Sequence, residues 1–419
     1  MIALPLIYFI FVFAYFWSRQ RHWNLDLAAT ALLIVISACA IIIDVKDLYG
    51  EYGINENNIT LPTLLLFCFQ WTLVLVPIHF LSQIPIQRHH QVKGKLLYLL
   101  VIAMAASSII VLGTSITAIK EALVMDMLDV RNQHYEDLAA GAMGEGNYLL
   151  VLPNILCCNP FPTLALFFWL YLKAFTNAPL IVRAGILMAS VVQAITSIVT
   201  AGRSAMIYWT FDFFLLYSYF YQYLPKSTKR VINLTALTIG GLIGFVFISI
   251  TIARFDTTDS LTSNPLDSLF GYAGQHINNF STMIVHGGET PLSLDRIFPL
   301  FSKLTGAQGA YDMADHYDML VAHVPSGVLV NVFDTFGGEL YLDLGWVGYI
   351  SFMLLLMAIT LYIRNNWQEL SFHRIFVLAI AVAFFSHGLF AWPFITHYPT
   401  MAIILLAISS FLFKYEFRI

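Results

Sequence analysis

Apolar runs long enough to cross a bilayer recur along the chain, separated mostly by short polar connections. A membrane-spanning helix needs about 20 mainly apolar residues. By that measure we predict eleven spans, at roughly residues 2–18, 27–43, 61–81, 96–116, 149–172, 180–200, 204–224, 231–252, 344–363, 375–395 and 398–414. The pattern therefore predicts an all-α polytopic membrane protein with about 11 transmembrane helices.

The fifth predicted span is irregular, because its segment "PNILCCNPFP" places Pro153, Pro160 and Pro162 inside the apolar run. Proline removes a helical hydrogen bond and bends or ends the helix. We therefore predict a break or a re-entrant piece at this point. Such a break is tolerated where other protein segments bury the freed backbone groups.

Composition agrees with a membrane protein, since 59% of the residues are hydrophobic and only 11% are charged. Soluble domains carry about 25% charged residues. All four cysteines fall in apolar segments, so we expect free buried thiols. No spacing of Cys and His residues suggests a zinc site.

The distribution of basic residues predicts the orientation. With the N-terminus outside, 14 of the 21 Lys and Arg residues lie on the inner side, and about 21 of the 25 acidic residues face outward. The predicted topology is N-out and C-in. It divides the chain into an N-terminal bundle of about eight spans (1–252), a large outer loop subdomain (253–343) and the C-terminal transmembrane helices (344–419).

The large outer loop contains two amphipathic segments. "LDSLFGYAGQHINNFSTMI" has apolar residues at helical spacing, and "PLSLDRIFPLFSKL" is a shorter run of the same kind. Both are typical of helices that lie at the membrane–water boundary. A loop of this length is usually functional or disordered, and these segments indicate a folded, functional one.

Two arginines predicted at the outer face lie tight against spans: Arg203 in "TAGRSAM" and Arg254 in "TIARFD". A guanidinium offers a fixed fork of donors that suits phosphate, so the pair could hold a pyrophosphate. The alternative is that each arginine reaches lipid headgroups or pairs with a nearby acid.

The same loop holds candidates for a general base, namely His316 and Asp318 in "DMADHYD", and His323 after it. Histidine and carboxylate side chains accept protons in catalysis. A divalent-metal site and a solvated acidic loop are the alternatives for this stretch.

The stretch "NVFDTFGGELYLDLG" runs from the loop into the ninth predicted span. Glu339 and Asp343 are four residues apart, so they share one face of a helix. We expect them at the outer mouth, reached by water, where they either cap the helix or contribute to a functional site. Asp212, inside the seventh span, is either functional or a polar anchor between helices.

These residues resemble a known family. Arg203 in "TAGRSA", the late outer loop and "NVFDTFGGELYLDLGWVG" are similar to features of Wzy-type O-antigen and capsular repeat-unit polymerases. The architectural likeness covers most of the chain, and the motif likeness covers Gly202–Arg203 and about Asn331–Gly348. Some members of the family carry a glycine eleven positions after an arginine. Here Phe214 follows Arg203 at that distance and Pro265 follows Arg254, so this pattern is absent.

The resemblance implies a bacterial inner-membrane, multi-pass glycosyltransferase of the lipid-phosphate-sugar class, with its active site facing the periplasm. It would work without a metal or another cofactor and join undecaprenyl-pyrophosphate-linked oligosaccharide donor and acceptor units. The resemblance also implies that such an enzyme contacts membrane lipid and a chain-length regulator protein. It implies no binding of nucleic acid.

We hypothesise a role for each candidate residue in such a transfer. Arg203 and Arg254 would bind the leaving pyrophosphate, and the base would come from His316, Asp318 or His323. The remaining candidates form a substrate-binding set: Arg296, His276, Asn279, Asn331, Asp334, Glu339, Tyr341 and Asp343.

Other functions remain open at this stage. An O-antigen ligase shares the layout but transfers the glycan to a lipid core. A secondary transporter or flippase of lipid-linked glycans predicts inverted repeats and broken helices in both halves. An acyltransferase that acts on glycans is a further alternative.

Overall fold

The computed structural model describes residues 1–48, 56–86, 95–124, 148–176, 178–200, 204–255, 265–286, 297–298, 300, 333, 335–394 and 397–416. Within these residues the secondary structure is helical, apart from one isolated bridge between Ile86 and Leu370. The all-α class is therefore confirmed for the part of the chain that the structure describes.

Thirteen α-helices are present in the described residues, and they are numbered here in chain order. They are α1 (Leu4–Gln20), α2 (Leu25–Val45), α3 (Leu61–Gln83), α4 (Lys95–Val124), α5 (Val151–Cys157), α6 (Phe161–Phe175), α7 (Leu180–Thr196), α8 (Ser204–Phe220), α9 (Lys226–Phe255), α10 (Pro265–His286), α11 (Thr335–Asn366), α12 (Phe372–Gly388) and α13 (His397–Glu416). Every predicted span coincides with a helix, and the fifth is divided between α5 and α6.

Five of these helices are long and apolar enough to cross a membrane: Leu25–Val45, Leu61–Gln83, Tyr98–Glu121, Leu180–Val199 and Thr335–Asn366. The number rises to six if α5 and α6 together form one span. The helices thus support a membrane-embedded protein. Eleven spans and the N-out, C-in topology stay predictions.

The break in the fifth predicted span is confirmed, because α5 and α6 meet at an angle of 59°. The backbone is non-helical from Cys158 to Pro160, and hydrogen bonds bridge the break. The amide of Phe161 donates to the carbonyl oxygen of Cys158 at 3.0 Å, and that of Leu164 donates to Pro160 at 3.0 Å. Since α6 is buried from Phe161 to Tyr171, the freed backbone groups lie inside protein, as such a break requires.

The chain forms two compact units. The first comprises Met1–Pro85, Leu261–Glu369 and Phe384–Thr400, and it contains α1, α2, α3, α10 and α11. An aromatic cluster occupies its core. The fully buried ring of Trp71 on α3 lies 5.3 Å from Phe336 of α11 and 5.4 Å from Phe385, both edge-on.

The second unit comprises Ile86–Ser260, Leu370–Ala383 and Met401–Ile419. Here α6 packs against α7 and α8, and α4 packs against α5 and α7. Asp212 of α8 is buried and accepts a hydrogen bond from the Thr163 hydroxyl of α6. This contact fits the predicted role of a polar anchor between helices. Because both units draw on separate stretches of the chain, they do not test the predicted division at residues 252 and 343.

The first amphipathic segment of the long loop is a helix, as predicted, and forms α10. The second, at 291–304, lies outside the described residues apart from a few positions. The ninth predicted span begins earlier than expected, since α11 starts at Thr335 and continues to Asn366 through a break at Gly345. At Gly345 the backbone has φ 59° and ψ −164°, which glycine adopts without steric cost.

Candidate functional site

Helix α10 packs against α2 and α3. Its two ends contact residues just outside those helices: Asp267 forms an ion pair with Lys46, and His286 contacts the Asn58 side chain at 3.0 Å. Its middle contacts positions further in, because Phe280 meets Phe67 of α3 with 5.7 Å between ring centroids. Phe67 is six residues into α3, or about 9 Å along the helix axis.

Gly274 lets α10 approach α2 closely. A Cβ atom at this position would lie 2.5 Å from the backbone nitrogen of Ala40 and 2.5 Å from the backbone carbonyl carbon of Cys39. Neither backbone atom can move aside without displacing α2. Small residues at such crossings allow helix backbones to touch in membrane proteins. The glycine therefore fixes how closely α10 packs against α2.

The middle of α10 is buried although it is polar. The side chains of Gln275, His276, Asn278 and Asn279 are all at most 6% exposed. The amide nitrogen of Asn279 donates to the carbonyl oxygen of Phe333 at 3.1 Å and to Oε1 of Gln275 at 3.3 Å. Neither polar atom of the Asn278 side chain has a hydrogen-bond partner in the described part of the chain.

His276 lies between two aromatic rings. Its imidazole centroid is 5.5 Å from that of Phe333 and 4.8 Å, edge-on, from that of Phe390. Neither ring nitrogen has a hydrogen bond of good geometry within the described residues. Helix α10 is not among the candidate membrane spans. Burial lowers the pKa of His276 to about 3, and the nearby Phe333 backbone opposes this only weakly, so the imidazole is neutral near pH 7.

The first part of α11 is a buried helix. Every residue from Thr335 to Asp343 is buried. The helix starts at Thr335 in a left-handed conformation (φ 70°), and the Thr335 amide donates to the carbonyl oxygen of Phe390 at 3.2 Å. A non-glycine residue at positive φ is uncommon, so surrounding contacts must hold this start in place.

Gln70 of α3 supplies one of these contacts. Its amide nitrogen donates to the Thr335 hydroxyl at 3.3 Å, and its Oε1 accepts from the Tyr349 hydroxyl at 3.2 Å. A Cβ atom at Gly337 would lie 1.8 Å from that same Oε1. Gly337 therefore leaves room for the Gln70 amide. This amide bonds to Thr335 before the break at Gly345 and to Tyr349 after it, and so joins the two parts of α11.

The two carboxylates of α11 are more deeply buried than the sequence led us to expect. Glu339 is 6% exposed and Asp343 is 0% exposed, so the expectation that water reaches them is wrong. Neither lies in the first turn of α11, which starts at Thr335, and this removes a capping role at that end. The burial comes from helix packing around α11, which the sequence pattern alone does not report. Tyr341, between them, is buried as well and meets Trp346 at 4.8 Å.

The structure brings some of the predicted site residues together. His276 and Asn279 both contact Phe333, two residues before the start of α11, the helix that carries Glu339, Tyr341 and Asp343. The remaining candidates lie outside the described residues: Arg203, Arg296, His316, Asp318, His323, Asn331 and Asp334. The backbone of Arg254 belongs to the last turn of α9, and its side chain is not described.

Sequence reasoning missed Gln70, Tyr349 and Asn278. Gln70 is the one side-chain amide in the third predicted span, which was a usable signal because a buried amide needs hydrogen-bond partners. Tyr349 and Asn278 gave no such signal. Among the described residues, no group of three or more His, Cys, Asp or Glu side chains is placed to hold a metal ion.

The chain was compared with protein-family models, curated protein sequences and solved structures, and none of the three comparisons gives a match. The function has to be inferred from the residues and their geometry.

Proposed function

We propose that this protein is a membrane glycosyltransferase that polymerises undecaprenyl-pyrophosphate-linked oligosaccharide repeat units. It would act on the outer face of a bacterial inner membrane and make O-antigen or capsular polysaccharide. The proposal rests on the motif resemblance at Arg203 and at Asn331–Gly348, and on the geometry of the first compact unit.

One observation carries the proposal. The polar face of α10 formed by His276 and Asn279 meets the segment that enters α11, through the bond from Asn279 to Phe333 at 3.1 Å. Polar and ionisable groups between membrane helices are costly and mark functional positions. Amide and imidazole side chains can both donate and accept hydrogen bonds, which is what sugar hydroxyls require.

The reaction would join two lipid-linked glycans. An acceptor hydroxyl oxygen attacks the anomeric carbon of the donor sugar while the bond from that carbon to the pyrophosphate oxygen breaks. The hydroxyl proton passes to a base drawn from His316, Asp318 or His323, an effect of about 10²–10⁴ in rate. Arg203 and Arg254 neutralise the leaving undecaprenyl pyrophosphate, an electrostatic role worth several kcal/mol in a dry site.

The acceptor sugar would bind where α10 meets α11. Asn279 and His276 supply one side of this pocket, and Glu339, Tyr341 and Asp343 supply the other. The set is completed by residues of the long loop, namely Arg296, Asn331 and Asp334. The partners follow from the reaction: lipid-linked donor and acceptor, membrane lipid and a chain-length regulator protein.

The test is polymer formation by purified protein supplied with lipid-linked repeat units. Arg203→Ala and Arg254→Ala should each abolish the ladder of polymer lengths, whereas Arg364→Ala, an exposed arginine at the end of α11, should leave it intact. Unchanged polymer from the first two variants would refute the arginine roles. Product that forms only with a core lipid acceptor would identify an O-antigen ligase instead.

A flippase of lipid-linked glycans is the second candidate, and one observation favours it. Helices are broken in both compact units, at Cys158–Pro160 between α5 and α6 and at Gly345 in α11. Broken helices build the substrate sites of many secondary transporters. Proteoliposomes loaded with fluorescent lipid-linked repeat units separate the candidates, because a flippase exposes the label to an external quencher without lengthening the glycan.

A further inference from the structure

A cavity of about 480 Å³ opens in the second compact unit. It lies where α6 ends, α7 begins and α9 begins. Lys173 of α6 and Arg183 of α7 line it together with Ser227 and Thr228 in the first turn of α9. None of the residues that line it is acidic.

The two basic side chains of the cavity have no counter-ion in the described part of the chain. The described ion pairs are Lys46 with Asp267 and His79 with Asp26, so neither Lys173 nor Arg183 is paired there. Both side chains line the same cavity. The Arg183 Nε atom is shielded from solvent and has no hydrogen-bond partner in that same part of the chain. Two unpaired cations that share one cavity are stabilised by an anion between them.

The start of α9 adds further donors. The amide of Lys229 is bonded to the carbonyl oxygen of Pro225 at 2.9 Å. The backbone N–H groups of Ser227 and Thr228 therefore precede the first helical hydrogen bond and remain available to a ligand. The helix dipole also favours negative charge at this end. Backbone amides, two hydroxyls and two cations thus meet at one cavity.

Exposed aliphatic side chains lie on the helices that form the cavity. Val231 of α9 lines the cavity and is 53% exposed, and in the first turn of α7 Leu180 is 74% exposed and Ile181 is 81% exposed. The Lys229 ammonium lies 3.8 Å from the centroid of the Tyr221 ring. Exposed aliphatic side chains beside basic and aromatic ones are typical of the boundary between the hydrocarbon core and the headgroups. The predicted topology places these basic residues on the inner side of the membrane.

We propose that this cavity binds the phosphate of an anionic phospholipid headgroup. Lys173 and Arg183 contact the phosphate oxygens, the first turn of α9 donates hydrogen bonds to them, and the acyl chains lie along Leu180, Ile181 and Val231. Basic pockets between membrane helices hold anionic headgroups in this way. The site shares no residue with the proposed acceptor pocket, and nothing in the polymerase proposal requires it.

Native mass spectrometry of the full chain in detergent tests the proposal, with titration by dioctanoyl phosphatidylglycerol, dioctanoyl phosphatidylcholine and inorganic phosphate. The wild type should bind one phosphatidylglycerol at least about tenfold more tightly than phosphatidylcholine, because the choline ammonium leaves that headgroup with no net negative charge and is repelled by Lys173 and Arg183. The double variant Lys173→Gln/Arg183→Gln should lose that preference. The matched control Lys226→Gln/Arg230→Gln removes two charges from the same end of α9 outside the cavity and should keep it.

Three results would overturn the site. Equal affinity of the wild type for the two lipids would show that the cavity has no preference for negative charge. This comparison uses the wild type alone, so it does not depend on the stability of a variant. Unchanged phosphatidylglycerol binding by Lys173→Gln/Arg183→Gln would place the anion elsewhere. Inorganic phosphate that binds more tightly than phosphatidylglycerol would assign the cavity to a soluble phosphate and reject the lipid.

Discussion

The side-chain amide of Asn279 donates a hydrogen bond of 3.1 Å to the carbonyl oxygen of Phe333 and so joins the middle of α10 to the segment that enters α11. The bond connects two stretches of chain that are 54 residues apart. It brings the polar face of α10 to the helix that carries Glu339 and Asp343, and the proposed acceptor pocket depends on this connection.

Two neighbouring asparagines on α10 should respond differently to substitution. Asn279→Leu removes the bond to Phe333 and leaves a partly buried carbonyl without its donor, so we expect a loss of about 1–3 kcal/mol in stability. Asn278→Leu replaces an amide that has no hydrogen-bond partner in the described residues, and should be neutral or stabilising. Thermal unfolding in detergent measures both, and equal destabilisation by the two variants would contradict this geometry.

Gly274→Ala should destabilise the protein by about 1–3 kcal/mol, because the added methyl group meets the backbone of α2 and forces α10 outward. The matched control is Gly240→Ala on α9, where a Cβ atom meets nothing within 4 Å. That change should stabilise the helix by about 0.5–1 kcal/mol. The close crossing of α2 and α10 is refuted if Gly274→Ala unfolds at or above the wild-type temperature.

Gly337 and Gln70 should be energetically coupled. In Gly337→Ala the new methyl group displaces the Gln70 amide, which then loses its bonds to Thr335 and Tyr349. In Gln70→Ala those bonds are already absent and space is free, so adding Gly337→Ala should cost little. A double-mutant cycle should give a coupling of about 1 kcal/mol or more. Additive effects would show that the two residues do not share this space.

Much of the fold follows from the sequence, because a run of about 20 apolar residues is a strong signal. Each of the eleven apolar runs coincides with helix, although only five or six of the described helices are candidate spans, and the prolines at 153, 160 and 162 correctly marked the break between α5 and α6. The amphipathic pattern also predicted α10 as a helix. These features depend on local composition and on backbone chemistry.

The surroundings of each helix were not predictable in this way. The spacing of apolar residues along a helix predicts which face is buried but not which helices cover it. The complete burial of Thr335–Asp343 therefore corrects our expectation that water reaches Glu339 and Asp343. The role of Gln70 depends on Thr335 and Tyr349, which lie 265 and 279 residues away along the chain. Such pairings arise only from tertiary packing.

The protein should lose stability on acidification, and His276 should account for part of that loss. Burial lowers the pKa of His276 to about 3, whereas an unfolded histidine titrates near 6.5. The unfolded state therefore binds the extra proton first, and stability falls as the pH drops below the unfolded value. Between pH 7 and pH 5 this amounts to about 2 kcal/mol from this residue.

His276→Phe tests that pH dependence. The phenyl ring keeps the aromatic contacts with Phe333 and Phe390 and cannot take up a proton. The unfolding temperature of the variant should therefore fall less between the two pH values than that of the wild type. The control is Ser281→Ala, which removes a hydroxyl that donates to the Ile277 carbonyl oxygen of the same helix at 3.0 Å. This variant should keep the pH dependence of the wild-type unfolding temperature. Parallel pH profiles for His276→Phe and the wild type would contradict the burial of a neutral imidazole.

The same variant tests the proposed acceptor site most directly, through the rate of polymer formation from purified lipid-linked repeat units. If His276 binds the acceptor sugar, His276→Phe should remain as stable as the wild type at pH 7, since its ring nitrogens lack well-formed bonds in the described residues. It should nevertheless polymerise at least about tenfold more slowly, the cost of one lost hydrogen bond to substrate. Polymer formation by His276→Phe at the wild-type rate would contradict the acceptor site.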